Sequence, residues 1–531
     1  MNRNRKRSAI GSAKWIAGFL WVWATFSAAG FEWITGPGYR SAELPLRTSG
    51  KAGFKQLLPA ETRVLFTNVL TEERGITNQI YMNGSGVALG DVDGDGWVDI
   101  YLCGLDSPNK LFRNLGQWRF EDVTANAGVG LNDQASTGAV LADVDGDGDL
   151  DLLVNGVGTG TRLFLNDGKG HFREATAEAG LTSSSGSMSM ALADIDGDGD
   201  LDLYVTNYRI DTFQDEPGVQ FRVFRTNNEV RITMVDGHPV TEAENRRYRI
   251  EPGSMSIREN GEADVLYRND GRGHFSPVPW TEGAFLDENG QRIGVPYDWG
   301  LSVMFRDING DGLPDIYVCN DADSPDRIWI NRGGGQFQAL PRLAVRETCF
   351  SSMGVDFADL NRDGFDEFFV VDMLARDHAG RHRQLVTRQG SLPPGLIETR
   401  PQYSRNMLYL NRGDGTYAEV AQMSGVQASD WSWMPLFLDV DLDGYEDLLI
   451  SNGLERGLRD ADSRRRIDAI KAQKRLSKRE FQELRKMMAR VENPNYAFRN
   501  RGDLTFEDSS ALWGFNSRQI SQGMEIGRAH V

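Results

Sequence analysis

One nine-residue pattern occurs six times in this chain: aspartate at positions 1 and 5, aspartate or asparagine at 3, and an acid at 9. It reads DVDGDGWVD from Asp91, DVDGDGDLD from Asp143, DIDGDGDLD from Asp194, DINGDGLPD from Asp307, DLNRDGFDE from Asp359 and DVDLDGYED from Asp439. Successive starts lie 52, 51, 113, 52 and 80 residues apart, so the unit is about 52 residues and two gaps hold extra sequence. A fixed period of this length restricts the chain to copies of one small unit packed against each other.

The surroundings of each loop define the unit. A short apolar run precedes it (GVALG, GAVLA, MALA) and another follows (IYLC, LLVN, LYVTN). A third run enters a glycine turn (KLFRNLG, RLFLNDGKG, VLYRNDGRG, RIWINRGGG, MLYLNRGDG, YAFRNRGDL), and a fourth opens on an aromatic (RFEDVT, HFREAT, TYAEVA, TFEDSS). Four short strands per fifty residues is the arithmetic of a β-propeller blade. The unit has no helical periodicity, which excludes a helical solenoid. The expected fold is all-β: a seven-bladed β-propeller over 61–525, with six whole blades plus an incomplete closing blade. Leu65–Ile76 resembles a fourth strand with its tail, and Ser521–Met524 the start of a seventh first strand. Closing the ring with both termini would remove the open edge. The expected inserts, partly helical, are 208–262, 373–403 and 454–494.

The ends carry their own signals. Residues 1–14 hold five basic residues and no acid, residues 15–30 no charge, and Ser27-Ala28-Ala29 small residues for cleavage. This is the layout of a signal peptide over 1–29, followed by a linker over 30–60. The expected location is therefore secreted, periplasmic or cell-surface, with membrane contact only through an uncleaved signal anchor. The tail Ile526–Val531 resembles translated sequencing-adapter DNA and is read as non-native, with the chain a truncated fragment.

Clustered carboxylates in a tight loop repel one another unless a cation lies among them. In the first loop Asp91, Asp93, Asp95 and Asp99 offer carboxylates, and Trp97 a backbone carbonyl at position 7. The same reading assigns Asp143, Asp145, Asp147, Asp149 and Asp151; Asp194, Asp196, Asp198, Asp200 and Asp202; and Asp307, Asn309, Asp311, Leu313 and Asp315. It also assigns Asp359, Asn361, Asp363, Phe365 and Glu367; and Asp439, Asp441, Asp443, Tyr445 and Asp447. Such hard oxygen cages suit Ca²⁺, up to six ions in all. An EF-hand needs a glutamate at position 12, where this chain has Leu102, Val154, Val205, Val318, Val370 and Ile450, so that motif is rejected. Asn309 and Asn361 each remove a carboxylate and predict weaker sites.

These repeats resemble FG-GAP/VCBS repeats, as in integrin α-subunit propellers. The run of units, the export signal and the FEDVTANAG-type tails are similar to the cartilage acidic protein (ASPIC/UnbV) family. The resemblance implies calcium binding with adhesion or scaffolding, and no particular reaction.

Strand polarity puts the acidic loops and glycine turns on one face of the disc and the three inserts on the other. That second face is the expected recognition surface for an extracellular protein or glycan, with Tyr297, Trp299, Trp431 and Trp433 as candidate contacts. The competing reading packs these aromatics under the inserts. The net charge of −18 argues against nucleic acid. The basic stretch in 454–494 is expected to form one or two amphipathic helices with a solvated face. The RGD tripeptides at Arg412–Asp414 and Arg501–Asp503 align with the repeat's ordinary turn. Cys103 and Cys319 fall in equivalent strands and read as buried thiols. The six histidines are scattered, and no nucleophile elbow, HExxH or P-loop occurs. The chain is therefore not expected to be an enzyme; the alternative is a calcium-dependent lyase or hydrolase acting on polysaccharide.

Overall fold

The computed structural model describes residues 34–36, 39–41, 51–216, 218–226, 230–251, 256–322, 324–384, 400–474 and 476–527. The expected signal peptide and most of the tail from Ile526 lie outside them. The chain divides into two units, Met1–Lys51 and Ala52–Val531. In the first, Ile34–Gly36 pairs antiparallel with Tyr39–Ser41.

The second unit holds six antiparallel sheets, each built on four strands consecutive within a repeat. Blade 1 comprises Val87–Gly90, Asp99–Leu102, Lys110–Asn114 and Phe120–Asp122. Blade 2 comprises Ser136–Ala142, Asp151–Gly156, Gly160–Asn166 and Phe172–Glu174. Blades 3, 4, 5 and 6 begin at Ser187, Gly300, Gly354 and Asp430. Second strands such as Asp151–Gly156 and Asp202–Asn207 are buried at every residue, which explains their continuous apolar runs. Blades 4 and 6 each gain a fifth strand, Phe285–Leu286 and Met373–Leu374.

First strands are innermost. Val87, Thr137, Met188, Leu301, Gly354 and Trp433, one from each blade, line a common channel together with Gln522–Glu525. The backbones there approach closely: a Cβ on Gly138 would lie 2.8 Å from the Met188 carbonyl oxygen. Ser136 N–H donates to Gly104 O and Ser352 N–H to Asn320 O, linking each first strand to the blade before it. Ser521 N–H makes the same bond to Asn452 O. Residues 521–525 thus take an innermost position, although no strand is assigned there. Residues 65–70 are likewise unassigned, which corrects the expected fourth strand. They bond to the turn of blade 1 instead, Asp106 N–H to Val69 O. A strand is defined by its ladder, and neither segment has one among the described residues.

The inserts occupy the links after second strands. Residues 208–262 form a three-stranded sheet and a hairpin around Ile232, Val235 and Tyr248. The third insert forms helices Ala461–Gln473 and Lys478–Glu483. Its basic residues pair within the chain: Arg479 with Glu73, Lys478 with Glu216, and buried Arg485 with Asp215 at 2.5 Å. Cys103, Cys319 and Cys349 are buried and unpaired as disulfides.

Candidate metal centres

Each acidic loop closes the hairpin between a first and a second strand, and its ninth residue opens the second strand. In blade 2 the pair is Ala142 with Asp151, in blade 3 Ala193 with Asp202. Two left-handed steps fold the loop back on itself, Gly94 (φ 69°) and Gly96 (φ 89°) in the first copy. Position 6 is glycine in all six loops, whereas Arg362 (φ 62°) and Leu442 (φ 58°) adopt that conformation at position 4 without the freedom of glycine.

This fold draws three positions together. Carboxylate oxygens of Asp91, Asp93 and Asp99 lie within 4.8 Å of one another, as do those of Asp143, Asp145 and Asp151, of Asp194, Asp196 and Asp202, and of Asp439, Asp441 and Asp447. Oxygens on opposite sides of a Ca²⁺ ligated at 2.3–2.6 Å stand about 5 Å apart, so the trios fit a single ion of that size. The other two loops lack a third acid because Asn309 and Asn361 stand at position 3; each donates its amide to the fifth-position carboxylate, Asp311 and Asp363, at 2.9 Å.

The ninth-position acid is the fixed point. Asp99 Oδ2 accepts Val92 N–H at 3.0 Å and Oδ1 accepts Asn114 N–H at 2.7 Å. Asp151 does the same with Val144 and Asn166, at 3.1 and 2.9 Å. Both side chains are fully buried. Burial pushes Asp99, Asp151, Asp202, Asp315 and Asp447 up to about 6 and Glu367 to about 7, against the pull of the two amides; neighbouring carboxylates push them further. A cation would reverse that push, since it favours the ionised form.

The fifth position departs from expectation. Asp95, Asp147, Asp198 and Asp443 are not part of the trios. Their Oδ1 atoms accept the seventh-position N–H, Trp97 at 2.9 Å and Tyr445 at 3.0 Å for example. Asp95 and Asp443 also meet arginines from the third strand, Arg113 at 3.0 Å and Arg499 at 2.8 Å. Arg268 approaches Asp196 at 3.1 Å. The matching residues in blades 2, 4 and 5 are Leu165, Ile330 and Leu410, so the third strand brings an arginine to three loops and an apolar side chain to the other three, of which the fifth loop instead meets Arg306 through Asp366. At position 7, the Trp97 side chain is exposed.

Two contributors escaped the sequence reading. Every third strand ends in asparagine: Asn114, Asn166, Asn269, Asn331, Asn411 and Asn500. Each donates its backbone N–H to the ninth-position acid of its own blade. In four of them Nδ2 also reaches a loop carbonyl of an earlier repeat, Asn166 to Val92 and Asn500 to Leu360 for example. Their repetition before the glycine turn was the available signal. The third-strand arginines gave none, because they interrupt the repeat.

The four aromatics expected on the insert face separate into two kinds. Trp299 and Trp433 are each 6% exposed. Their indoles donate to Glu259 O at 3.1 Å and Gly453 O at 2.6 Å, and Trp299 packs edge-on against Tyr208. They belong to the packing beneath the inserts and at the channel, which corrects their placement as contacts. Trp431 is half-buried and lines a cavity of about 260 Å³ with Asp377, Arg383, Arg459 and Arg490; its indole N–H has no partner. Tyr297 lines another of about 400 Å³ with Arg209, Arg246 and Arg247. Both RGD segments are ordinary turns, Asp414 and Asp503 accepting from Thr416 and Thr505.

A family model described as FG-GAP-like repeat matches residues 91–154, 143–205 and 307–370. No curated protein matches. Among solved structures, an Agrocybe aegerita lectin, described as recognising non-reducing terminal N-acetylglucosamine, is 17% identical over 79% of this chain and 77% of that one, with a TM-score of 0.38. An ancestral GH74 enzyme is 10% identical over 70% of this chain and 35% of its own, at 0.34. A triple-arginine mutant of AofleA from Arthrobotrys oligospora is 11% identical over 80% and 86%, also at 0.34. All three scores lie below 0.5, too low to bear on function.

Proposed function

We propose that this chain is an exported seven-bladed β-propeller of the ASPIC/UnbV kind, which binds Ca²⁺ in its acidic loops and serves as an adhesion or scaffolding module for an extracellular protein or glycan. The observation that carries the reading is the convergence of three carboxylates in each of four loops, with the ninth-position acid buried at the base. The three FG-GAP-like matches cover five of the six loops, all but the one at Asp439, and support the calcium assignment. The seventh blade is supported by residues 521–525, whose Ser521 repeats the inter-blade bond of Ser136 and Ser352. No helix among the described residues is long and apolar enough to cross a membrane.

Calcium acts here as a structural ion: it joins the start of the second strand to the loop before it and binds only the folded ring. Ligand recognition falls to the insert face, where Trp431 and Tyr297 each line a cavity with arginines and acids. The test has two parts. Calorimetric titration of metal-free protein with CaCl₂ should show binding heat, and chelation should lower the melting temperature. If neither occurs, the calcium reading fails. A glycan array should then show calcium-dependent binding that Trp431→Ala weakens while the melting temperature holds. New reducing ends or unsaturated sugars in the bound fraction would make the protein an enzyme instead.

A further inference from the structure

A cavity of about 430 Å³ lies at the outer side of blade 4, away from the acidic loops and from Trp431. Its wall is Pro325, Asp326, Ile328 and Trp329 from the start of the third strand, with Ala339 and Leu340 from the end of the fourth. Arg400 and Gln402, at the end of the second insert, the Glu288–Arg342 ion pair and Arg327, which is paired with Asp298 at 2.7 Å, complete it.

Two donors on this wall are unpartnered. Trp329 is 1% exposed and packs on Phe285 and Trp280, yet its indole N–H has no acceptor. Arg400 is largely buried and donates through Nη2 to Leu340 O at 2.9 Å, while its Nε–H has none. No acid forms an ion pair with Arg400 among the described residues. Burial draws its pKa down, and the fields of Tyr317, Tyr409, Asp326 and Glu288 oppose this only from a distance. The nearby acids are already engaged. Asp326 accepts from Asn320 N–H, Tyr317 O–H and Ser352 O–H, and Glu288 accepts from Arg342.

A buried guanidinium without a counter-ion, beside a second orphan donor, is a costly arrangement for a fold to keep. What both groups lack is an acceptor, and for Arg400 a negative one. The volume lies in the range of small-molecule pockets. The remaining wall is apolar on one side and offers Gln402, Arg342 and Glu288 on the other. That combination suits a sugar ring, with C–H groups on one face and hydroxyls at the edge.

We infer that this cavity binds a compact monocarboxylate, held by Arg400 and the Trp329 indole N–H, with an acidic monosaccharide the body that fits its walls best. The site is separate from the calcium loops and from the Trp431 cavity, and does not depend on either assignment.

Calorimetry on the calcium-loaded full chain, with D-glucuronate, D-glucose and benzoate as probes, tests it. Glucuronate should bind and glucose should not; benzoate binding instead would support the carboxylate site with an aromatic body. Arg400→Met should weaken the carboxylate at least about tenfold, the loss expected for a charge-assisted bond. It should leave the melting temperature of the free protein unchanged or higher, because it removes an uncompensated buried charge. Trp329→Phe keeps the ring packing and should weaken binding about threefold or more, so the test stands even if the Arg400 variant fails to fold. Absence of binding by both carboxylates, equal binding of glucose, or affinity unchanged in both variants would overturn the inference.

Discussion

Asp264 allows the energetic role of buried charge in this ring to be measured at one atom. It stands immediately before the third strand of blade 3 and is 7% exposed. Its Oδ1 accepts Asn207 N–H at 2.8 Å and its Oδ2 accepts Tyr204 O–H at 3.1 Å. Burial pushes its pKa up to about 7; Asp298 adds to the push, while the Asn207 amide, Tyr204 and Arg327 oppose it. In the unfolded chain the same group titrates near 3.9. The folded state therefore binds the proton more tightly. Its stabilising contribution is complete below pH ~4 and is lost as pH rises through ~7. Three pKa units at about 1.36 kcal/mol each make that loss about 4 kcal/mol by pH ~8.

Blade 1 holds the neutral counterpart. Asn109 occupies the equivalent place, accepts Gly104 N–H at 2.7 Å through Oδ1 and donates Nδ2–H to Tyr101 Oη at 2.8 Å. Asp264→Asn should keep both bonds, with the tyrosine now accepting, and remove the charge. At pH ~8 the variant should gain about 4 kcal/mol over the parent; at pH ~4, where both side chains are neutral, the difference should vanish. For a unit as large as Ala52–Val531 the unfolding entropy is about 1 kcal/mol/K, so the gain is about 4 °C in melting temperature. Scanning calorimetry of both proteins across pH ~4–8, with calcium held constant, reads the difference directly. A variant that melts below its parent at pH ~8, or is shifted equally at both ends, would refute the reasoning.

The loops and the channel yield two further expectations. Arg113→Leu, which gives blade 1 the residue type of blade 2, should raise the first loop's calcium affinity about threefold to tenfold by removing a competing cation. Calorimetric titration showing weaker or unchanged binding would count against competition. Gly138→Ala would set a Cβ 2.8 Å from Met188 O, where backbone rather than a flexible side chain must move. It should cost about 1–3 kcal/mol, seen as a melting temperature about 1–3 °C lower, and a neutral result would mean the inner strands are not closely packed.

What the sequence disclosed follows from what repeats. Loop spacing, the apolar run in each second strand and the glycine turns recur in every unit, so periodicity alone placed the four strands of each blade and the acids between them. The convergence of positions 1, 3 and 9 was only partly legible. It depends on left-handed steps at positions 4 and 6, and in two loops the first of these falls on Arg362 or Leu442, where composition suggests no such conformation. The diversion of Asp95 and Asp443 to Arg113 and Arg499 was invisible for another reason: these partners meet across strands 18 and 56 residues apart, and only in some blades. Trp299 and Trp433 misled because an indole beside an insert looks alike in sequence whether it faces solvent or the ring. Only the carbonyls of Glu259 and Gly453, brought in by the first insert and by the link after the sixth blade's second strand, decide between the two. Periodicity therefore reports the scaffold that all blades share. The features that would make one loop bind more tightly than another, or one face select a ligand, lie in the exceptions, and there the cross-strand neighbours have to be seen.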